Sequence, residues 1–310
     1  MEKKFVSVIF YIHNDGKYLN DFFENVIEKI RTNYENYELI CVDDACTDNS
    51  VDVLKEYAVS KNCSDAVSIV KMGSYQGLEA SMNAGRDISI GDFVYEFDDV
   101  QVNYNADLVM DAFKVIEEGA DISIVSPSGG NKLSSAFFYA IFNRYNQSNN
   151  KISSDAFRII SRRAINRIKS ISDFVPYRKA LYANCGLKAV TTYYKPTKKK
   201  QSKHEKKAYE RFNLAFDSFV YFTFFLEHVS TAISAFFLLF SVGSVAYALW
   251  DHFTNNAIME GWASIICFLS FGFFGVFVLL TIILKYLSVI VNLIFRRQKY
   301  LVESIEKIGE

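Results

Sequence analysis

The sequence predicts an α/β domain on a mostly parallel sheet, followed by a pair of helices that are apolar on every face. Three observations carry this reading. From residue 5 to residue 126, short runs rich in Val, Ile and aromatic residues alternate with segments of helical apolar spacing. Two later windows, 229–250 and 262–284, contain no Asp, Glu, Lys or Arg, and each exceeds the roughly 18–20 residues that cross a bilayer core. Between the two regions lies a crowd of basic residues, from Lys195 through Lys198, Lys199, Lys200, Lys203, Lys206 and Lys207 to Arg211.

Taken in order, the strand-like runs are 5–11, 37–43, 66–71, 92–97 and 121–126. The helix-like segments between them are 18–31, 50–60, 77–87 and 107–118, with Asp48 or Ser50 placed to cap the second. The apolar windows then read as membrane-spanning helices, with Trp250 and Trp262 at their inner ends, where indole rings favour the membrane interface. The loop 251–261 has no Lys or Arg, whereas the outer flanks carry the basic crowd and Lys285, Arg296, Arg297 and Lys299. Positive charge stays inside, so both termini are expected on the cytoplasmic side. The expected organisation is a cytoplasmic domain over 1–203, an amphipathic juxtamembrane segment over 204–228, spans at 229–250 and 262–284 joined by the short loop 251–261, and a cytoplasmic tail over 285–310.

Composition narrows the function classes. Lys plus Arg number 34 and Asp plus Glu 35, so global charge does not argue for a nucleic-acid partner. The five cysteines carry no CxxC spacing, which excludes a zinc ribbon or a disulfide framework and suits a reducing compartment.

Ligands of open parallel sheets bind beyond the carboxyl ends of the strands. Three predicted strands run there into polar or acidic residues: His13-Asn14-Asp15, Asp43-Asp44 and Asp98-Asp99. Carboxylates in such a place can accept hydrogen bonds from a ribose or base and can hold Mg²⁺ or Mn²⁺ on a diphosphate. Neither GxGxxG nor GxxxxGK[ST] occurs, so the usual glycine-rich phosphate cradles are absent.

The runs VSVIFYIHND, ELICVDDACTDNS and QGLEASMNAGRDISIGDFVYEFDDVQ, followed by SSDAFRIISRRA, QSKH, the two apolar windows and RQKYLVES, resemble the family 2 glycosyltransferases of GT-A fold. The order of landmarks is similar to that of the polyprenyl-phosphate branch, which includes dolichol-phosphate mannose synthase and the bactoprenol glucosyltransferases. The resemblance implies that Tyr11, Asn14, Asp15, Asp43, Asp44 and Asp98 line the nucleotide-sugar pocket. It implies that Asp99 and Gln101, with Asp98, hold a Mg²⁺ or Mn²⁺ ion, and that Asp99, Asp155 and Arg158 serve catalysis. Arg158, Ser161, Arg162, Lys200 and Lys203 would meet the acceptor phosphate. Phe97 stands where the family's first metal-motif Asp is found.

The function so implied is an inverting transfer of a sugar from a nucleotide-diphosphate sugar, UDP by family weight, to a polyprenyl phosphate such as undecaprenyl phosphate. The site would be the cytoplasmic leaflet of a bacterial inner membrane, and a homo-oligomer is compatible with the spans. Two alternatives stand beside it: a degenerate, non-catalytic relative that binds a nucleotide sugar or a membrane partner, and a processive polysaccharide synthase. The latter's Gln-x-x-Arg-Trp motif is absent.

Overall fold

The computed structural model describes residues 2–129, 139–140, 142–144, 151–171, 177–197, 225–254, 262–295 and 300–309. The chain divides into two units, Met1–Leu214 with Arg297–Glu310, and Ala215–Arg296.

The first unit is built on an eight-stranded sheet. Its strands are β1 (Glu2–Ile12), β2 (Tyr34–Asp43), β3 (Val67–Met72), β4 (Phe93–Phe97), β5 (Ile122–Pro127), β6 (Phe157–Ser161), β7 (Ala189–Tyr194) and β8 (Val302–Lys307), in the order β7-β5-β6-β4-β1-β2-β3-β8. The five strands expected from the sequence are all present, and the four at the centre, β4-β1-β2-β3, are mutually parallel. Two antiparallel additions frame them: β6 joins β4 and β5 on one side, and β8 closes the β3 edge on the other. β8 reads VESIEK, with Val302, Ser304 and Glu306 half-buried on one face and Glu303, Ile305 and Lys307 exposed on the other, as suits a charged edge strand.

The helices are α1 (Gly16–Phe22), α2 (Glu28–Asn33), α3 (Ser50–Ser60), α4 (Leu78–Ile88), α5 (Leu108–Glu117), α6 (Arg162–Ile171) and α7 (Arg178–Asn184). The segment expected as one helix over 18–31 is interrupted by a π turn at Phe23–Ile27. Phe22 and Phe23, at the junction of α1 with that turn, are both fully buried. Phe22 meets Phe10 at 5.3 Å and Phe97 at 5.2 Å between ring centroids, and Phe97 stacks on Phe157 at 5.1 Å. Phe97 is therefore a core side chain, fully shielded from solvent.

The second unit contains α8 (Phe225–Thr254) and α9 (Trp262–Phe295), of 30 and 34 residues. They meet through aromatic rings, Phe237 and Phe240 lying 5.1 and 4.9 Å from Phe271. A Cβ on Gly275 would strike the Phe237 ring at 2.3 Å, so only glycine admits that approach. Among the described residues no helix is long and apolar enough to cross a membrane, so the spans expected over 229–250 and 262–284 are not a finding of the structure. Both helices also extend beyond those windows, α9 by one further turn after another to Phe295. The expected juxtamembrane segment lies outside the described residues except for 225–228, which open α8, and most of the expected loop 251–261 lies outside them too.

Candidate functional site

In the central strands the chain passes from β1 to β2 on one side and later returns to place β4 on the other. That reversal makes a crevice at the carboxyl ends of β1 and β4, where open α/β sheets bind ligands. Phe10 pairs with Cys41 on β2 and with Phe97 on β4. Asp43 and Asp99 each lie two residues beyond those partners, so they share one level of the rim, roughly 10 Å apart across β1 at ordinary strand spacing.

The nucleotide-side residues form two local structures. Asp44 is fully buried and accepts three hydrogen bonds: from the Tyr11 hydroxyl at 2.8 Å, the Gln76 N–H at 2.8 Å and the Gly77 N–H at 2.9 Å. His13 Nδ1–H donates to its carbonyl at 2.6 Å. Burial and the Asp44 charge push the Tyr11 hydroxyl far above its ordinary pKa, so it stays a donor. Asp44 and Tyr11 thus hold the loops of three strands together instead of presenting free groups. Asp43 beside them accepts the Cys46 N–H at 2.9 Å through Oδ1. Asn14, in a left-handed conformation at φ 58°, accepts from the Thr47 and Asp48 N–H groups at 2.7 and 3.2 Å. Asp15 is buried: its Oδ2 accepts the His13 N–H at 3.2 Å, and its own N–H donates to Ser50 Oγ at 2.9 Å. The expected pocket residues Tyr11, Asn14, Asp15, Asp43 and Asp44 are brought together, with Asn14 and Asp44 shaping the backbone around Asp43.

Across the crevice lies a buried ionic network that sequence reading does not reveal. Glu96 on β4 and Arg158 on β6 are cross-strand partners, with Nη1 3.3 Å from Oε2. Arg178, at the start of α7, donates from Nη1 to Glu96 Oε2 at 2.7 Å, from Nη2 to Asp98 Oδ1 at 2.7 Å, and from Nε and its backbone N–H to Glu79 Oε2 at 2.9 and 3.0 Å. Arg158 reaches the other Asp98 oxygen and Asp155, and Lys179 pairs with Asp155. The Tyr182 hydroxyl donates to Glu96 Oε1 at 2.7 Å and accepts from Arg86 at 3.2 Å. Four carboxylates, Glu79, Glu96, Asp98 and Asp155, so face four cations, Arg86, Arg158, Arg178 and Lys179. Burial pushes the Asp98 carboxyl up, but Arg158, Arg178 and Lys179 outweigh it and hold its pKa well below the carboxylate range. Burial likewise opposes charge on Arg158, and Asp155 and Asp98 overcome it.

This network bears on the expected metal set: both Asp98 oxygens accept from guanidinium groups, and Phe97 is in the core. Gln101 is buried, and its backbone N–H donates to Asp99 Oδ1 at 3.0 Å. Among the described residues no group of three or more His, Cys, Asp or Glu side chains gathers to hold a metal. Of the motif's carboxylates, partly exposed Asp99 is the one that fits a divalent ion, because Mg²⁺ is commonly held by one or two carboxylates and the substrate's own phosphates.

The expected acceptor residues separate. Arg158 lies at the rim, but β6 runs antiparallel to β4 and carries Ser161 to the level of Phe93. Ser161 and Arg162 therefore stand about 20 Å from the level of Asp99, at the opposite end of the sheet. Arg162 donates there to the Gly91 carbonyl at 2.9 Å from Nε, and Ser161 Oγ accepts the Ala164 N–H at 3.2 Å. Both serve the β6–α6 junction. Lys200 and Lys203 lie outside the described residues. The cation that stands with Arg158 instead is Lys179: with Asp155, Ser153, Thr191 and Tyr193 they line a cavity of about 440 Å³. Arg158 Nε is buried there without a hydrogen-bond acceptor. The charged Glu96 within the apolar run FVYEF was the one local signal of this network; its partners Arg158, Arg178 and Tyr182 come from positions 62 to 86 residues away.

Residues 7–169 match the family described as Glycosyl transferase family 2. The chain is 21% identical over 306 residues to an uncharacterized glycosyltransferase of Synechocystis sp., covering 97% of this chain and 95% of that protein. It is 24% identical over 271 residues to the putative glycosyltransferase CsbB of Bacillus subtilis, covering 86% and 81%. Among solved structures, the mannosyltransferase PcManGT of Pyrobaculum calidifontis, determined with GDP-mannose and Mn²⁺, superimposes with a TM-score of 0.51 at 13% identity, over 96% of this chain and 89% of that one.

Proposed function

The chain belongs to glycosyl transferase family 2, and from that premise we propose that it moves a sugar from a nucleotide-diphosphate sugar, a UDP-sugar by family weight, to a polyprenyl phosphate such as undecaprenyl phosphate, with inversion at the anomeric carbon. The observation that carries this reading is the pairing, at one end of the sheet, of a carboxylate rim (Asp43, Asp99) with a cavity walled by Arg158 and Lys179. The rim suits a nucleoside diphosphate, and the cavity suits a second anion.

In the reaction, an acceptor phosphate oxygen forms a bond to the anomeric carbon as the bond to the nucleotide diphosphate breaks. That oxygen is already negative at neutral pH, so no general base is required. Arg158 and Lys179, both lining the cavity, orient the phosphate through their positive charge. Asp155 holds those two cations in place. Asp99 would hold a divalent ion, which supplies positive charge against the leaving diphosphate. Lys200 and Lys203 belong to this reading as part of the basic run of the sequence that draws the lipid phosphate toward the domain.

Membrane attachment belongs to the same proposal. Over the complete sequence, 229–250 and 262–284 carry no charge, and helices of 30 and 34 residues are about 45 and 51 Å long. Leu239, Val242, Phe277 and Leu284 each expose more than 60% of their surface, and apolar area of that kind marks a membrane or protein contact. Basic flanks on both outer ends support a cytoplasmic side of a bacterial membrane for the domain and both termini.

The test is transfer by detergent-purified protein from a panel of radiolabelled nucleotide sugars to undecaprenyl phosphate, scored as label entering the organic phase. Lipid-linked label supports the reading and names the donor. Nucleotide binding without transfer to any acceptor favours the non-catalytic alternative, to which the loss of the first motif Asp at Phe97 points.

A further inference from the structure

The C-terminal segment is tied to the nucleotide side of the crevice by a specific set of bonds. β8 pairs antiparallel with β3 and is pinned by Glu306, which meets Lys71 at 2.5 Å and Lys55 at 3.5 Å. Just before it, Leu301 makes a two-way bond with the Gln76 side chain: its N–H donates to Oε1 at 2.8 Å, and Nε2 donates back to its carbonyl at 2.6 Å. The Gly73 N–H donates to the same carbonyl at 3.0 Å. Tyr300 anchors the segment further, its hydroxyl donating to Asp87 on α4 at 2.9 Å.

What Gln76 does on its other side gives this clamp a consequence. Its backbone N–H and that of Gly77 donate to the two oxygens of buried Asp44. Gly77, at φ +84°, then opens α4 in a conformation that favours glycine. Tyr75, one residue earlier, lies against the His13 ring at 4.6 Å, and His13 in turn is bonded to the Asp44 carbonyl. The loop 73–77 thus touches the Asp43–Asp44 turn from one side and the C-terminal segment from the other.

We propose that residues 300–307 are a strap that sets the shape of the donor-nucleotide pocket, with Gln76 as the positioning residue that transmits it. This rests on the reading of the Asp43–Asp44 rim as the nucleotide site. Gln76 has no need to touch the nucleotide. Its amide can both accept from the N–H and donate to the C=O of one residue, so it fixes the loop to Leu301 while its backbone fixes Asp44. Because the strap follows α9 in the chain, the pocket is completed by sequence that lies beyond the helical hairpin.

The experiment compares full-length wild type, Gln76→Ala, Gln76→Glu and Tyr300→Phe in detergent, using calorimetric titration with UDP and with GDP, and hydrogen exchange of the 73–77 amides. In Gln76→Ala the nucleotide Kd should rise about tenfold, the scale of one or two lost hydrogen bonds, and loop exchange should accelerate. Gln76→Glu keeps the acceptor for the Leu301 N–H but loses the donor, and should behave like Gln76→Ala. Tyr300→Phe should show a smaller rise in both quantities. Faster loop exchange with an unchanged Kd would overturn the proposal, since the strap would then be a structural tie alone. Wild-type protein that binds neither nucleotide would overturn the reading of the rim itself, and the strap's role with it.

Discussion

Arg178 and Glu96 meet at 2.7 Å with both side chains fully buried, although 82 positions separate them in the chain. Their contact joins the start of α7 to the end of β4 and so fixes where Asp98, Asp99 and Arg158 stand relative to one another. A buried pair of this kind adds little stability over an apolar replacement of the same shape, but removing one partner leaves the other charge stranded. Arg178→Met strands Glu79, Glu96 and part of Asp98 together. It should cost ~3–5 kcal/mol, read as a lower thermal midpoint, and an unchanged midpoint would show that the network contributes nothing to folding.

Asp98 gives the same network a pH signature. Its carboxyl has a lower pKa folded than unfolded, so it contributes stability above the unfolded value of ~3.9, and the contribution is lost as pH falls toward the folded value. Wild type should therefore be more stable than Asp98→Asn at pH 7, with the gap between their thermal midpoints closing below about pH 4. A gap that stays constant from pH 7 to pH 3 would contradict the ionic account.

Phe97 looks, from the motif alone, like a lost metal ligand awaiting repair. Its ring lies between Phe22 and Phe157 with no solvent contact. Phe97→Asp should bury an unpaired carboxylate and cost more than ~3 kcal/mol without creating a metal site, whereas Phe97→Leu should fold nearly as well as wild type. Tighter Mn²⁺ binding by a stable Phe97→Asp protein would refute this.

Asp99→Asn tests the rim without disturbing the core. It should leave the circular dichroism spectrum and thermal midpoint within experimental scatter of wild type. Transfer should fall by at least ~100-fold, and nucleotide affinity should no longer respond to added Mg²⁺ or Mn²⁺. Retained divalent-ion dependence would move the ligand elsewhere.

Lys179 and Arg162 separate two placements of the acceptor phosphate. Lys179→Gln keeps a donor near Asp155 but removes a charge from the cavity, and should raise the acceptor KM about tenfold, the scale of a charge-assisted hydrogen bond. Arg162→Ala acts at the far end of the sheet and should lower stability while leaving that KM within about twofold. The reverse pattern would restore Arg162 to the acceptor site.

Much of this protein was legible in its sequence because the signals are local. Alternating apolar runs and helical spacing predict β1 to β5 and the helices between them, and the strand-end carboxylates Asp43 and Asp99 follow from where those strands stop. The short β6, β7 and β8 went unread: β6 spans only five residues, and the charged positions of β8 resemble a solvated tail until it pairs with the edge of β3. The antiparallel direction of β6 was equally invisible, and it alone decides that Arg158 reaches the rim while Ser161 and Arg162, three and four residues later, are carried away from it. The sequence by itself determined an α/β core, a rim of carboxylates and two charge-free apolar windows. Only the tertiary structure decided which of those carboxylates is committed to an arginine, because the pairing of Asp98 with Arg158 and Arg178 depends on segments that the chain brings together from 60 and 80 residues away. Periodicity reports which face of an element is apolar; it carries no information about which distant charge will be buried against it.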